Sequence, residues 1–139
     1  MIRSISTILL LSALFCASCK NYSEDVVDLR QLKQFEGVVY SDSANVPFTG
    51  IVVDSVGDTR ILYAEYQNGL RNGYAEAWYA NGHTKYLGDY YDGKKIGEWK
   101  NYYSNGQLKD IGFIGIDGMN IGTSRHYDRE GNLTDIRIY

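Results

Sequence analysis

"DGKKIGEWKNYYSNGQLKDIG", residues Asp92 to Gly112, decides how this chain is read. Gly93, Gly97, Gly106 and Gly112 punctuate it, and Trp99, Tyr102 and Tyr103 stand between them. It holds no His, no Cys and no Ser beside a base. Asn-Gly between aromatic-rich flanks is a strong hairpin signal, because glycine takes the positive φ of a tight turn without steric cost. Gly97 to Tyr103 and Gln107 to Ile114 are therefore expected as two paired strands around Asn105-Gly106.

The stretch is one copy of a repeat. "NGLRNGYAEAWYANGHTK" (Asn68 to Lys85) aligns with "DGKKIGEWKNYYSNGQLK" (Asp92 to Lys109) at a constant offset of 24 residues. Gly69 falls on Gly93, Gly73 on Gly97, Gly82 on Gly106, Trp78 on Tyr102 and Tyr79 on Tyr103. A third copy follows at an offset of 25, with Gly118, Gly122, Tyr127 and Gly131 in the matching places. A degraded copy, Pro47 to Tyr66, precedes them. Tyr74 to Ala80 with His83 to Tyr90, and Thr123 to Asp128 with Leu133 to Ile138, are the neighbouring hairpins. The Gly-x-x-x-Gly pairs Gly69/Gly73, Gly93/Gly97 and Gly118/Gly122 are expected to turn the chain between hairpins. Turn signals this frequent leave no room for useful helices. The expected fold is all-β: tandem antiparallel hairpins forming an open, elongated, curved sheet.

Alternation then assigns faces. Trp78, Tyr102 and Tyr127 should form a stripe on one face with Glu76, Lys100 and Arg125. Trp99, Tyr79 and Tyr103 should lie on the other. Trp78, Tyr79, Trp99, Tyr102, Tyr103 and Tyr127 are candidates for a binding surface, with packing favoured for Trp78 and Trp99 and contact for outward tyrosines such as Tyr79 and Tyr103. The last strand, "LTDIRIY", alternates Asp135 and Arg137 with Ile136 and Ile138, as an edge strand guarded by charge would.

The N-terminus has a different character. Arg3, the apolar run Ile5 to Phe15 and the small residues that follow have the layout of a secretory signal, too short to span a bilayer. Ala17-Ser18-Cys19 resembles a bacterial lipobox, which makes residues 1–18 a lipoprotein signal peptide and Cys19 the acylated residue. By resemblance to Gram-negative lipoprotein sorting rules, the absence of Asp after that cysteine, where Lys20 stands, favours the outer membrane, on its periplasmic or surface-exposed side. Residues 19–36 are expected as a tether, for which the spacing of Val26, Leu29 and Leu32 allows a short helix. The repeat domain runs from 37 to 139.

The pattern Y-x-DG-x3-G-x-W-x2-YY-x-NG-x-L resembles the variant MORN repeat of bacterial proteins labelled YwqK-like antitoxin components. "GVVYSDSANVPFTG" (Gly37 to Gly50) resembles the segment that precedes those repeats. The resemblance spans roughly Gly37 to Tyr139 and implies a β-hairpin repeat fold. A signal and lipobox do not suit an antitoxin against a cytoplasmic toxin, so either the partner it implies lies in the envelope or the antitoxin label does not describe this chain.

Chemistry is sparse. His83 and His126 fall in different repeat columns with no partner at metal-ligand spacing, so no metal or cofactor is expected. No Gly-x-Ser-x-Gly elbow or phosphate loop occurs. Asp92 and Asp117 recur at turns, where Asp belongs, rather than in a cleft. The net charge of −3 gives no basic field for nucleic acid. The sequence points to a non-catalytic, lipid-anchored repeat module that contacts a protein at the bacterial cell envelope. The alternatives are an envelope glycan or peptidoglycan binder using the Tyr/Trp face, and an immunity-type neutraliser of a toxin.

Overall fold

The computed structural model describes residues 25–41 and 45–139. The expected signal peptide, Cys19 and the first part of the tether lie outside the described residues. Among the described residues eleven strands form: β1 Val26–Asp28, β2 Leu32–Phe35, β3 Val38–Ser41, β4 Gly50–Val56, β5 Thr59–Gln67, β6 Leu70–Trp78, β7 Thr84–Tyr91, β8 Lys94–Tyr102, β9 Leu108–Ile114, β10 Asn120–Tyr127 and β11 Leu133–Ile138. Strands β4 to β11 pair in chain order, each antiparallel to the next, and β1 adds to β4 in parallel. They make one open nine-stranded sheet with β1 and β11 as its edges, and β2 with β3 forms a separate two-stranded sheet. The all-β hairpin meander expected from the repeat is the fold.

Two turn types alternate along it. Asn68-Gly69 and Asp92-Gly93 are two-residue turns with both φ positive, at 50° and 80° and at 48° and 77°. This is the primed turn whose twist matches the flanking strands, and glycine is favoured at its second position. The Asn-Gly loops are wider. In the first, Tyr79 N–H donates to the His83 carbonyl and Gly82 N–H to the Tyr79 carbonyl. That is a type I turn closed by a left-handed glycine, repeated around Gly106 and Gly131. Asn81 keeps negative φ there, and its Oδ1 accepts the His83 N–H. The third inter-repeat connection, Gly115 to Met119, takes the wide form as well and so absorbs the twenty-fifth residue of that copy.

The second glycine of each Gly-x-x-x-Gly pair corrects the sequence reading. Gly73, Gly97 and Gly122 lie within β6, β8 and β10, not in the turns. They have positive φ close to register shifts against the preceding strand. Each marks a bulge, with two extra residues on the glycine-bearing strand across the shift, and a bulge increases local twist. Only the first glycine, Gly69, Gly93 or Gly118, sits in the connection.

The core sits at the N-terminal end. Val39 and Phe48 pack on Val52, Ala64, Tyr66 and Ala75, with Val27, Leu32 and Tyr90 around them. Full burial of a side chain such as Val52 contributes roughly 1.5–3 kcal/mol, and the alanines contribute less. Small residues make the close approach feasible: Val52, Ala64 and Ala75 stand opposite one another across β4, β5 and β6, followed by Gly88 on β7. Gly69 pins the small sheet down. Val39 N–H donates to its carbonyl at 2.9 Å and its own N–H donates to the Phe48 carbonyl at 2.7 Å. A Cβ on Gly69 would lie 2.4 Å from Val38 Cγ1.

The tether differs from its expected form. The short helix that the spacing allowed is a single 3-10 turn, Leu29–Gln31, capped by Asp28 and flanked by the strands β1 and β2. Val27 and Leu32 are drawn onto the core, and the Ile51 N–H donates to the Asp25 carbonyl, so tertiary contacts override the helical spacing. The division placed between residues 36 and 37 falls in the β2–β3 turn, where Glu36 and Gly37 both have positive φ.

Candidate functional site

The register separates two faces. On one, Val52, Ala64, Ala75, Gly88, Trp99, Gly112 and Ser124 follow one another across the sheet. On the other, Tyr63, Glu76, Leu87, Lys100, Ile111, Arg125 and Ile136 do so. Trp78, Tyr102 and Tyr127 accompany the second row as half-buried residues, opposite in face to Trp99, as alternation required. Tyr79 and Tyr103 depart from expectation. They stand in the loops, outside the strands, and reach sideways instead of projecting from a face.

The loops carry a lateral ladder. Tyr79 Oη donates to the Tyr102 carbonyl and Tyr103 Oη to the Tyr127 carbonyl, each at 2.9 Å. Asn81 Nδ2 donates to the Ser104 carbonyl and Asn105 Nδ2 to the Arg129 carbonyl. Each loop thus grips the loop one repeat further on. The rings are covered too: Lys85 lies over Tyr79, and Lys109 and Arg129 lie over Tyr103. In the third loop Asp128 and Glu130 replace the tyrosine and asparagine. Asp128 instead accepts from Glu130 N–H, Asn132 N–H and Asn132 Nδ2. Those bonds, first of all from the Asn132 side chain, hold its carboxyl below the ordinary carboxylate value.

The first face carries an aromatic and cationic strip. Trp99 is 4% exposed, its ring laid over Gly88, and its indole N–H donates to the Asp89 carbonyl at 3.1 Å and the Ile96 carbonyl at 3.2 Å. Tyr90 meets it edge-on at 5.1 Å, and Tyr86 lies 5.9 Å away on another side. Lys95 Nζ sits 4.0 Å from the indole centroid. The residue is exposed overall, yet partial desolvation lowers its pKa from the ordinary lysine value. Arg71 lies over Tyr90 at 5.1 Å. Its Nε donates to Tyr66 Oη at 3.1 Å and its Nη1 to Tyr90 Oη at 2.9 Å.

Two hollows border this strip. One, of about 420 Å³, opens between the β2–β3 sheet and the main sheet, lined by Leu29, Leu32, Val39, Leu70, Arg71 and Tyr90 among others. The other, of about 250 Å³, lies toward the C-terminal end beside Trp99, Asn101, Asp110, Ser124, His126 and Arg137. Asn101 Nδ2 donates to Asp110 there, and Ser124 and His126 are 3.4 Å apart. Among the described residues no group of His, Cys, Asp or Glu is placed to hold a metal ion. His83 Nδ1 lies 2.9 Å from the Ser104 carbonyl, within the loop ladder.

Three features escaped the sequence reading. Gly88 and Gly112 recur 24 residues apart inside strands, and glycine inside a strand pattern signals close approach. That signal was present: a Cβ on Gly88 would lie 2.5 Å from the Trp99 ring. The loop ladder and the Arg71 arrangement had no local signal, because their partners lie in other hairpins.

No family model matches the chain, and no curated protein matches it. Among solved structures, a mutant of S. aureus TarM in complex with Fondaparinux, alpha-GlcNAc-glycerol and UDP is similar at a TM-score of 0.40 and 13% identity. The similarity covers 79% of this chain and 20% of that one, so the chain spans about a fifth of that structure's length. A likeness at this level bears on neither function nor site.

Proposed function

We propose that this chain is a non-catalytic binding module, held at the bacterial envelope by lipid on Cys19, that receives an extended segment of a partner protein on the β11 edge. The observation that carries it is the C-terminal third of the second face. Phe113, Ile121, Leu133, Ile136 and Ile138 are all exposed there, Ile138 at 82%. Nearer the N-terminus the same face is polar and internally bonded: Tyr74 Oη and Thr84 Oγ1 both donate to the Glu76 carboxylate. The aliphatic patch borders the last strand of the sheet, whose outer backbone groups are a template for strand addition. Asp135 and Arg137 pair with each other at 2.8 Å on the opposite face. They discourage indiscriminate pairing and leave the apolar side to select the partner. The resemblance to variant MORN repeats agrees with a contact module.

Three of the six aromatics that would serve a sugar platform are engaged elsewhere. Trp99 is covered, and Tyr79 and Tyr103 are committed to the loop ladder.

A photocrosslinking residue at position 138, used in intact cells, tests the reading. A discrete crosslinked protein, lost when Ile136→Lys disrupts the apolar side, is the expected result. Equal crosslinking from a control position in the Asn81 loop would sink it. Metabolic palmitate labelling that persists in Cys19→Ser would remove the lipid anchor.

A further inference from the structure

The geometry points to the 420 Å³ hollow beside Arg71 as a binding pocket for a small organic carboxylate with an apolar body. Arg71 is half-buried. Its hydrogen-bond partners are the hydroxyls of Tyr66 and Tyr90, neither of them a carboxylate. No carboxylate pairs with it among the described residues. Removing a cation from water is costly unless an anion compensates it. A guanidinium has five N–H donors, and two are used here, so three remain for a ligand. The two tyrosines fix the plane of the group, and Tyr66 is itself buried. That pre-orients the fork that arginine offers a carboxylate.

The walls decide the rest of the ligand. Leu29, Leu32, Val39 and Leu70 line the hollow together with the Tyr66 and Tyr90 rings. Lys33, Gln34 and Arg71 share the lining with these apolar side chains, and the volume falls in the usual range of a small-molecule site. A single fork suits a monoanion. A phosphate dianion would call for a second cation, and Lys95 is not among the lining residues. Lys33 is among them but already has an interaction of its own. An acidic side chain on a macromolecular partner is the competing occupant, and the two are separable.

The test uses the full chain in detergent micelles, titrated with benzoate, benzamide and inorganic phosphate, followed by calorimetry and by NMR of the arginine Nε–H signals. Saturable benzoate binding that perturbs Arg71, with benzamide weaker by about tenfold or more for want of charge, is expected. Arg71→Gln abolishes it and Lys95→Gln does not. Thermal melts establish that each variant is folded. Should Arg71→Gln fail to fold, Arg71→Lys keeps the charge without the fork and should still lose most of the affinity. The assignment is overturned by phosphate binding more tightly than benzoate, by benzamide binding equally, or by retained affinity in a folded Arg71 variant. It is also overturned by the absence of benzoate binding up to about 10 mM, or by an acidic peptide binding where benzoate does not.

Discussion

At the scale of single residues, Gly88 and Gly97 are both mid-strand glycines, yet they resist substitution for different reasons. Gly97 has φ of +68°, and a Cβ there would meet nothing within 4 Å. Gly97→Ala should cost about 1 kcal/mol or somewhat more through backbone conformation alone. Gly88 has ordinary φ, but its Cβ would enter the Trp99 indole. Gly88→Ala should cost roughly 1–3 kcal/mol through overpacking. Urea unfolding of the single variants and of each glycine change in a Trp99→Leu background separates the two. The cost of Gly88→Ala should shrink in that background and the cost of Gly97→Ala should not. An equal response would overturn the steric account of Gly88.

At the scale of the element, the ladder of loop side chains holds neighbouring hairpins in step. Tyr103→Phe deletes only the hydroxyl that reaches the Tyr127 carbonyl. It should cost about 1 kcal/mol, with faster amide exchange in the 128–132 loop as the local readout. Unchanged exchange there would show that the bond is dispensable. Asp128 belongs to the same element. Its folded-state pKa lies below the usual 3.8, so the stability it contributes is present above that value and lost as pH falls through the folded-state value. Asp128→Ala should melt lower than the parent at neutral pH. The gap should close in strong acid, and a gap that stayed constant with pH would rule this out. The hairpins themselves were legible in the sequence because turn chemistry is local: Asn-Gly and Asp-Gly mark the reversals, and alternation assigns Trp99 and Lys100 to opposite faces. The roles of Tyr79 and Tyr103 were not legible. A hydroxyl that bonds a carbonyl in the next repeat leaves no trace in its own stretch, and both residues were read as surface contacts.

At the scale of the whole molecule, stability is unevenly distributed. The core gathers Val39, Phe48, Val52, Ala64, Tyr66 and Ala75 at one end, while β11 is almost wholly exposed. A chain of modules that touch only their neighbours unfolds progressively from its weak end. Native-state hydrogen exchange should therefore show the lowest opening free energies in β10 and β11 and the highest in β4 to β6. Uniform protection across the sheet would refute this. The part of the architecture hidden from the sequence is at the stable end. β1 pairs in parallel with a strand some 25 residues away, and β2–β3 is a short hairpin without an Asn-Gly marker. Their spacing read as a short helix because apolar residues three apart suit either a helix or a chain laid against a core. Arg71 was hidden likewise, since "NGLRNG" reads as a charged residue beside a turn until β7 supplies Tyr90.

The third loop also bears on how such a protein could lengthen. Duplicating the 24-residue unit is the simplest genetic route to a larger array, and a new copy placed after Ile138 would find a backbone edge to join. It would find no tyrosine or asparagine hook extended toward it, because Asp128 is turned in on its own loop. A copy joined there would lack those two side-chain bonds, as the β4–β5 turn with Ser55 and Gly57 already does, unless Tyr stood at 128 and Asn at 130.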